Sequence, residues 1–293
     1  MDIKIGDIIK KRRVELGLTQ KDLASGICTQ AQISNIEKGS LNPSCSVLYA
    51  FSQKLFVDMN YFFDLNSNKP SQHFTKIEHL INQLKTERNY DSIKYIVDNE
   101  LTLNSNKYSS YEKRYLLWHQ GISIYYLSGS IDESIQRLNE LVIINPSTPL
   151  DTLLNINIKT SIAIIKQEGK YYTEAYNLFL EASEELLNVT ELDHTYQVQL
   201  KILFGLSQTL SYLGKYNESK TYSLKAISLC VEKDTLYLLA DCYYQVGYNL
   251  IKLDDLEKGQ DYIKTAISLY EVQGNTKMIT IVNEQLEKLT LHP

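Results

Sequence analysis

Residues 18–39 read LTQKDLASGICTQAQISNIEKG. Leu23 and Ala24 give a short helix its apolar side, and Gly26 stops it. Thr19 is a good N-cap, and Asp22 stands three residues on, the spacing of a capping box. Thr29 and Gln32 repeat that spacing, so a second helix starts at Thr29 and ends at Gly39. In this second helix Ile33 and Ile36 turn inward. Gln30, Ala31, Ser34 and Asn35 are left outward, and Lys38 sits in the last turn, where it suits the helix dipole. Short surface helices usually favour Lys and Glu, so amides and small residues imply another task. Amide side chains present paired donors and acceptors, as the reading of base edges requires, and a small residue lets a helix approach closely.

The flanks extend the pattern. Upstream, Ile5, Ile8, Ile9 and Leu16 recur at helical spacing around a basic run, Lys10–Arg13, and Gly17 breaks the helix. Downstream, Pro43 and Ser44 open a fourth helix with Val47, Leu48, Phe51 and Leu55 inside, and Asp58 caps a fifth, DMNYFFDL. Five short helices with a tight turn between the second and third describe a helix-turn-helix domain, whose second motif helix enters the major groove.

GLTQKDLA, QISNIEKGSLNPS and the leucine after them resemble the Cro/C1-type helix-turn-helix, or XRE family, over about residues 5–64. The turn before Thr29 is one residue shorter than the commonest form. Arginines frequent in the recognition helix are replaced by Gln30 and Asn35. The resemblance implies that Gln20 and the recognition-helix start hold phosphates, while Gln30, Ala31, Ser34 and Asn35 face bases. Thr19, Thr29 and Gln32 join the DNA-binding set through the helix starts they build. Lys38, Ser40 and Asn42 are candidates for the flanking backbone. Glu37 is expected to hold the domain together.

Charge agrees with this division. Residues 1–56 hold six Lys and two Arg against five acids, which is +3, so a net charge of −5 leaves −8 on the rest. A basic head on an acidic body suits nucleic-acid binding by the head alone. The start, MDIKIGDIIKKRR, lacks the apolar core of a signal peptide, and no apolar run is long enough to span a membrane. Cys28, Cys45, Cys230 and Cys242 have no CxxC spacing and read as reduced thiols. A cytoplasmic protein is therefore expected. The histidines form no HExxH or similar cluster, so neither a metal nor another cofactor is expected. There is no nucleophile–base pair and no phosphate loop, which argues against an enzyme.

LNSNKPSQ, residues 65–72, is polar and contains Pro70, and it reads as a linker between a head, 1–64, and a body, 73–293. In the body, five breaks between amphipathic helices are followed by anchor positions Ile93, Ser134, Ala175, Ser219 and Gly259, spaced 41, 41, 44 and 40 apart. Seven residues beyond four of them come Leu141, Ala182, Ala226 and Ala266. This series resembles the tetratricopeptide repeat, with a period longer than usual and a final helix, NTKMITIVNEQLEKL, as a cap.

That resemblance implies an all-α chain: a helix-turn-helix domain followed by a right-handed superhelix of about five repeats. The first helix of each repeat then lines a concave face. Candidate inward residues are Asn82, Lys85, His119, Ser123, Asn157, Thr160, Gln167, Lys201, Phe204, Gln208, Tyr212, Tyr244, Gln245 and Tyr248. Tyr171 and Tyr216, near the turns, are read as packing residues.

The two modules together resemble the peptide-pheromone-responsive regulators of the RRNPP group, in particular the PlcR type. The likeness implies a homodimer that binds a short signalling peptide on the repeats and a pseudo-palindromic operator in double-stranded DNA, with no membrane partner. The PlcR type clamps its peptide with asparagines. Where the fourth-repeat asparagine is expected, this chain has Gly205 or Phe204. Either the peptide differs, or Gln208, Asn157 or Lys201 rebuilds the clamp. Two alternatives stay open: a repeat scaffold for a protein partner, and a redox or metabolite sensor using Cys28 or Cys45.

Overall fold

The computed structural model describes residues 5–57, 59, 61–64, 72–105, 108–146, 148–189 and 195–291. Asp58 and residues 65–71 lie outside them. Among the described residues the regular structure is entirely helical. The chain divides into two compact units, Met1–Asn82 with Lys107–Glu112, and Gln83–Asn106 with Lys113–Pro293. No described helix is long and apolar enough to cross a membrane.

The first unit begins with α1 (Ile5–Glu15), α2 (Gln20–Ala24), α3 (Gln30–Glu37), α4 (Cys45–Lys54) and α5 (Tyr61–Asp64). Ile8, Ile9, Leu23, Ile33, Phe51, Leu55 and Phe62 form its core, all essentially inaccessible. Leu16 is not part of it: α1 ends one residue earlier, and the side chain is 37% exposed. A Cβ on Gly6 would stand 1.9 Å from the Ile36 carbonyl oxygen, so only glycine lets α1 pass the end of α3 this closely. The Arg13 guanidinium donates to both oxygens of Glu37, at 2.7 and 3.1 Å, and to the Leu18 carbonyl at 2.6 Å. The Gln20 amide also donates to Glu37, at 2.8 Å. Glu37 thus ties α1, α2 and α3 together, as expected for a residue that serves the fold.

The remaining helices are α6 (Gln72–Thr86), α7 (Tyr90–Leu103), α8 (Ser110–Ser128), α9 (Ile131–Asn139), α10 (Pro149–Glu168), α11 (Tyr172–Leu186), α12 (Thr195–Tyr212), α13 (Tyr216–Glu232), α14 (Leu239–Lys252), α15 (Leu256–Val272) and α16 (Thr276–Leu291). Arg88, Gly129, Lys170, Gly214 and Asp254 all take a left-handed conformation, with φ between 54° and 75°. Each stands five residues before one of the anchors, so the turn and the anchor repeat in step. A left-handed residue ends one helix, and the chain reverses into the next.

All five anchors are buried. Four of them, Ser134, Ala175, Ser219 and Gly259, meet a small residue on the preceding helix. Ser134 donates to the Gly121 carbonyl at 2.7 Å. Ala175 packs in one core with Ala163. Ser219 donates to the Ser207 carbonyl at 2.7 Å. A Cβ on Gly247 would meet the Gly259 carbonyl oxygen at 2.7 Å. Small residues at these crossings bring α8/α9, α10/α11, α12/α13 and α14/α15 into close antiparallel pairs. Ala182, Ala226 and Ala266 are fully buried at the second expected position. Leu141 departs from the series, because α9 ends at Asn139 and Leu141 is half-buried beyond it. Arg114 donates to the Leu141 carbonyl at 3.0 Å, and Asn155 exchanges two hydrogen bonds with the Ile143 backbone. The segment after α9 is held by these side chains instead of by helix.

A polar cluster is buried between α12, α13 and α14. Ser207, Ser219 and Ser223 share hydrogen bonds, Asn249 donates to Ser219 at 2.7 Å, and Ser211 bonds Asn249 at 3.0 Å. Helix α16 closes the series as the expected cap, with Val282 and Leu289 buried against Ala240, Ile263 and Tyr270.

Candidate functional site

Two regions carry the residues singled out by the sequence. On the first unit both capping boxes are complete. Thr19 accepts from the Asp22 amide, while the Asp22 carboxylate receives the Thr19 amide and hydroxyl at 2.8 and 2.5 Å. Those hydrogen bonds hold the Asp22 carboxyl below its ordinary range. Thr29 accepts from the Gln32 amide, and Gln32 Oε1 receives the Thr29 amide at 2.9 Å.

Helix α3 buries Ile33 and Ile36 and leaves Gln30, Ala31, Gln32 and Asn35 exposed, with Ser34 half-buried. Lys38, Ser40 and Asn42 are exposed just beyond, and the Ser40 hydroxyl donates to the Asn35 carbonyl at 3.0 Å. Thr19 is exposed as well. Gln20 is half-buried, and its amide nitrogen is committed to Glu37. Burial pushes the Glu37 carboxyl up, but hydrogen bonds from Arg13 and Gln20 and the Arg13 charge outweigh it and hold the group below the usual carboxylate range. The buried side of α3 is thus fixed by charge and packing, while its exposed side is uncharged and narrow.

On the second unit, two adjoining clefts open between α8, α10 and α12, with about 620 and 1190 Å³ of empty space, and they share Ile164 and Lys201. Lys85, His119, Asn157, Thr160 and Lys201 line the first. Gln167, Lys201, Phe204, Gln208 and Tyr212 line the second. Most of the lining comes from α8, α10 and α12, the first members of their pairs, and Tyr90 and Tyr172 come from the starts of second members.

Other candidates lie elsewhere. Asn82 is exposed on α6. Ser123 is fully buried, with its hydroxyl bonded back to the His119 carbonyl at 2.9 Å. Gln245 is buried beside Asn249, and Tyr244 and Tyr248 pack near the α16 core. Gly205 has no room for a side chain, because a Cβ there would meet the Phe179 ring at 2.3 Å.

The first cleft is cationic. Lys85 lies 5.4 Å from the centre of the Trp118 ring. Lys201 has no carboxylate within ion-pair distance among the described residues, and burial lowers its pKa. His119 is 1% exposed, and its Nε2 has no hydrogen-bond partner. Burial first, then the charges of Lys85 and Lys201, push its pKa well below the ordinary value, so the ring is neutral at pH 7. An orphaned nitrogen at the foot of a cleft is a group awaiting a ligand partner or an ordered water.

Sequence reasoning passed over Trp118, Tyr126, Glu168, Tyr172 and Tyr237, which also line the clefts. Aromatic residues at helical spacing read first as core, and half of that reading is right: Trp118 Nε1 donates to Ser161 at 3.0 Å, and Tyr172 stacks on Tyr212 at 4.9 Å.

All four cysteines are free thiols. Burial raises the pKa of Cys28 and lifts that of Cys230 to about 11, which disfavours the reactive thiolate. No group of three or more potential metal ligands occurs among the described residues.

The RNPP family C-terminal domain matches residues 78–289, and a helix-turn-helix family matches residues 9–62. Among curated proteins no sequence matches. Solved structures do. Bacillus thuringiensis PlcR in complex with the peptide PapR7 and DNA is 25% identical, with 95% of this chain and 98% of that one covered and a TM-score of 0.78. Its apo form is 22% identical, with coverage of 96% and 98% and a TM-score of 0.69. ComR from S. thermophilus, in complex with DNA and its signalling peptide ComS, shares the fold at 16% identity and a TM-score of 0.63, with 98% and 100% covered.

Proposed function

Because the chain belongs to the RNPP family, we propose that it is a sequence-specific transcription regulator whose operator binding is set by a short signalling peptide. The observation that carries this reading is the pairing of two features on one chain. One is an uncharged recognition-helix surface on which Gln30, Ala31 and Asn35 are exposed and Ser34 is half-buried. The other is a cleft in which Lys85, Lys201 and a neutral His119 offer charge and hydrogen bonding. The likeness to PlcR, which is bound to a peptide and DNA in its solved complex, supports it.

The head, 1–64, docks α3 in the major groove, and residues 65–72 link it to the repeat domain, 73–293. A single head makes few base contacts, so a homodimer places two recognition helices on successive grooves of a pseudo-palindromic operator. Peptide binding shifts the dimer toward the DNA-competent state by its differential affinity for the two states. The protein acts by binding and catalyses nothing. Access to DNA places it in the cytoplasm.

Purification from the native cell, followed by mass spectrometry of the bound fraction, is expected to yield a short peptide. Adding that peptide to the stripped protein is expected to change operator affinity at fixed salt. Equal affinity at every peptide concentration would sink the switch. Gln30→Ala is expected to relax base preference at one operator position, costing about 1–3 kcal/mol of discrimination if the amide makes a bidentate contact. Selection of binding sites from random duplexes reads this out. A uniform loss across all sequences would reassign Gln30 to the phosphates.

A further inference from the structure

Glu168 is the last residue of α10, and it stands at the edge of the second cleft. It is exposed, and among the described residues no cation lies within ion-pair distance of it. Lys166, two residues before it, is committed to Glu174 and lies over the Tyr171 ring at 5.6 Å. Lys170 lines the same cleft and makes no ion pair with Glu168.

Tyrosines surround this carboxylate. The Tyr126 hydroxyl donates to Glu168 Oε1 at 3.0 Å. Tyr90 stacks on Tyr126 with ring centres 4.1 Å apart, and Tyr125 meets Tyr126 edge-on at 5.0 Å. Tyr172 at the start of α11 and Tyr212 at the end of α12 form a second stack at 4.9 Å, and both line the cleft with Glu168. The Glu168 charge is felt by Tyr125, Tyr126 and Tyr212: together with burial, the larger cause, it raises all three phenols, Tyr125 to about 12. They therefore remain neutral donors at physiological pH.

A lone carboxylate between two tyrosine stacks has one natural guest. Aromatic faces attract a cation through their quadrupole, and a carboxylate adds a charge-assisted hydrogen bond. We infer that Glu168, with the Tyr90/Tyr126 and Tyr172/Tyr212 stacks, forms a subsite for a positively charged amine of the bound peptide. The amine is either the peptide's N-terminal ammonium or a Lys or Arg side chain. Lys85 lines the adjoining cleft and Lys201 borders both, so the groove offers charges of both signs to a bound peptide. This subsite rests on the reading of the clefts as a peptide site.

The full-length protein is immobilised and offered three random heptapeptide libraries. The first has free N-termini and no Lys or Arg. The second is N-acetylated and contains Lys and Arg. The third is N-acetylated and lacks both. Mass spectrometry measures what is retained. The wild type is expected to retain one or both cationic libraries about three- to tenfold better than the neutral one, and the favoured library identifies the source of the amine.

Glu168→Gln keeps an oxygen for the Tyr126 hydroxyl, and it is expected to retain peptide without charge preference. Tyr212→Leu, at a position 59% exposed, is expected to reduce the preference without loss of thermal stability. Retention of the neutral library equal to the others by the wild type overturns the subsite, as does an undiminished preference in Glu168→Gln. If no library is retained at all, the peptide reading itself falls.

Discussion

Arg13→Ala is expected to loosen the N-terminal head by about 3–5 kcal/mol, the usual cost of removing one partner from a buried ion pair. Arg13 and Glu37 are 9% and 6% exposed, and the guanidinium spans both carboxylate oxygens and the Leu18 carbonyl. Without it Glu37 keeps a buried negative charge, with only the Gln20 amide to compensate. Hydrogen exchange of the α1 and α3 amides should accelerate by about two to three and a half orders of magnitude.

The sign of the pH dependence follows from the lowered pKa of Glu37. Its stabilising contribution is present above the unfolded glutamate pKa and is lost as pH falls through the lower folded value. The gap between wild type and Arg13→Ala should therefore shrink in acid, as Glu37 is protonated in the variant first. A gap that stays constant to low pH would mean that the guanidinium acts through packing alone.

Gly247→Leu is expected to cost the repeat domain about 3 kcal/mol, the upper end of overpacking penalties. A Cβ at Gly247 would stand 2.6 Å from the Ile263 side chain and 2.7 Å from the Gly259 carbonyl oxygen. Backbone cannot give way as a flexible side chain can, so α14 and α15 must part. Thermal unfolding of the repeat domain should fall by roughly 6–12 °C. Gly214→Ala is the contrast. Nothing lies within 4 Å of its Cβ position, and the cost, about 1 kcal/mol, comes from φ = +75° alone. Equal losses at the two glycines would show that the crossing at Gly247 is looser than its geometry.

Most of the architecture was legible in the residues. The capping boxes at Thr19 and Thr29 are local chemistry, so spacing alone revealed them. The anchors at Ser134, Ala175, Ser219 and Gly259 were legible because a close helix crossing accepts only small residues, and Ile93 because it keeps their spacing. Leu141 misled because the period continues in number where the helix does not: Arg114 and Asn155 hold that segment from the helices on either side of α9. The clefts were legible by helix and less so by residue. His119, Asn157 and Lys201 could be placed by register, but Ser123 and Gln245 share that register and turn into the packing. Glu168 gave no sign, since a carboxylate at a helix end reads as solvated surface until the tyrosines around it are seen.

The left-handed turn residues lie a constant five positions ahead of their anchors, whereas the distance from one anchor to the next ranges from 40 to 44. Variation in length thus falls outside the reversal, on the connectors and on both helices of a pair, whose second members alone run from 9 to 17 residues, while the turn itself is copied unchanged. Insertions and deletions accepted during descent would fall on the helices and connectors and leave the reversals alone. A lineage of such chains can then change the size of its repeats without re-inventing the joints that hold them together.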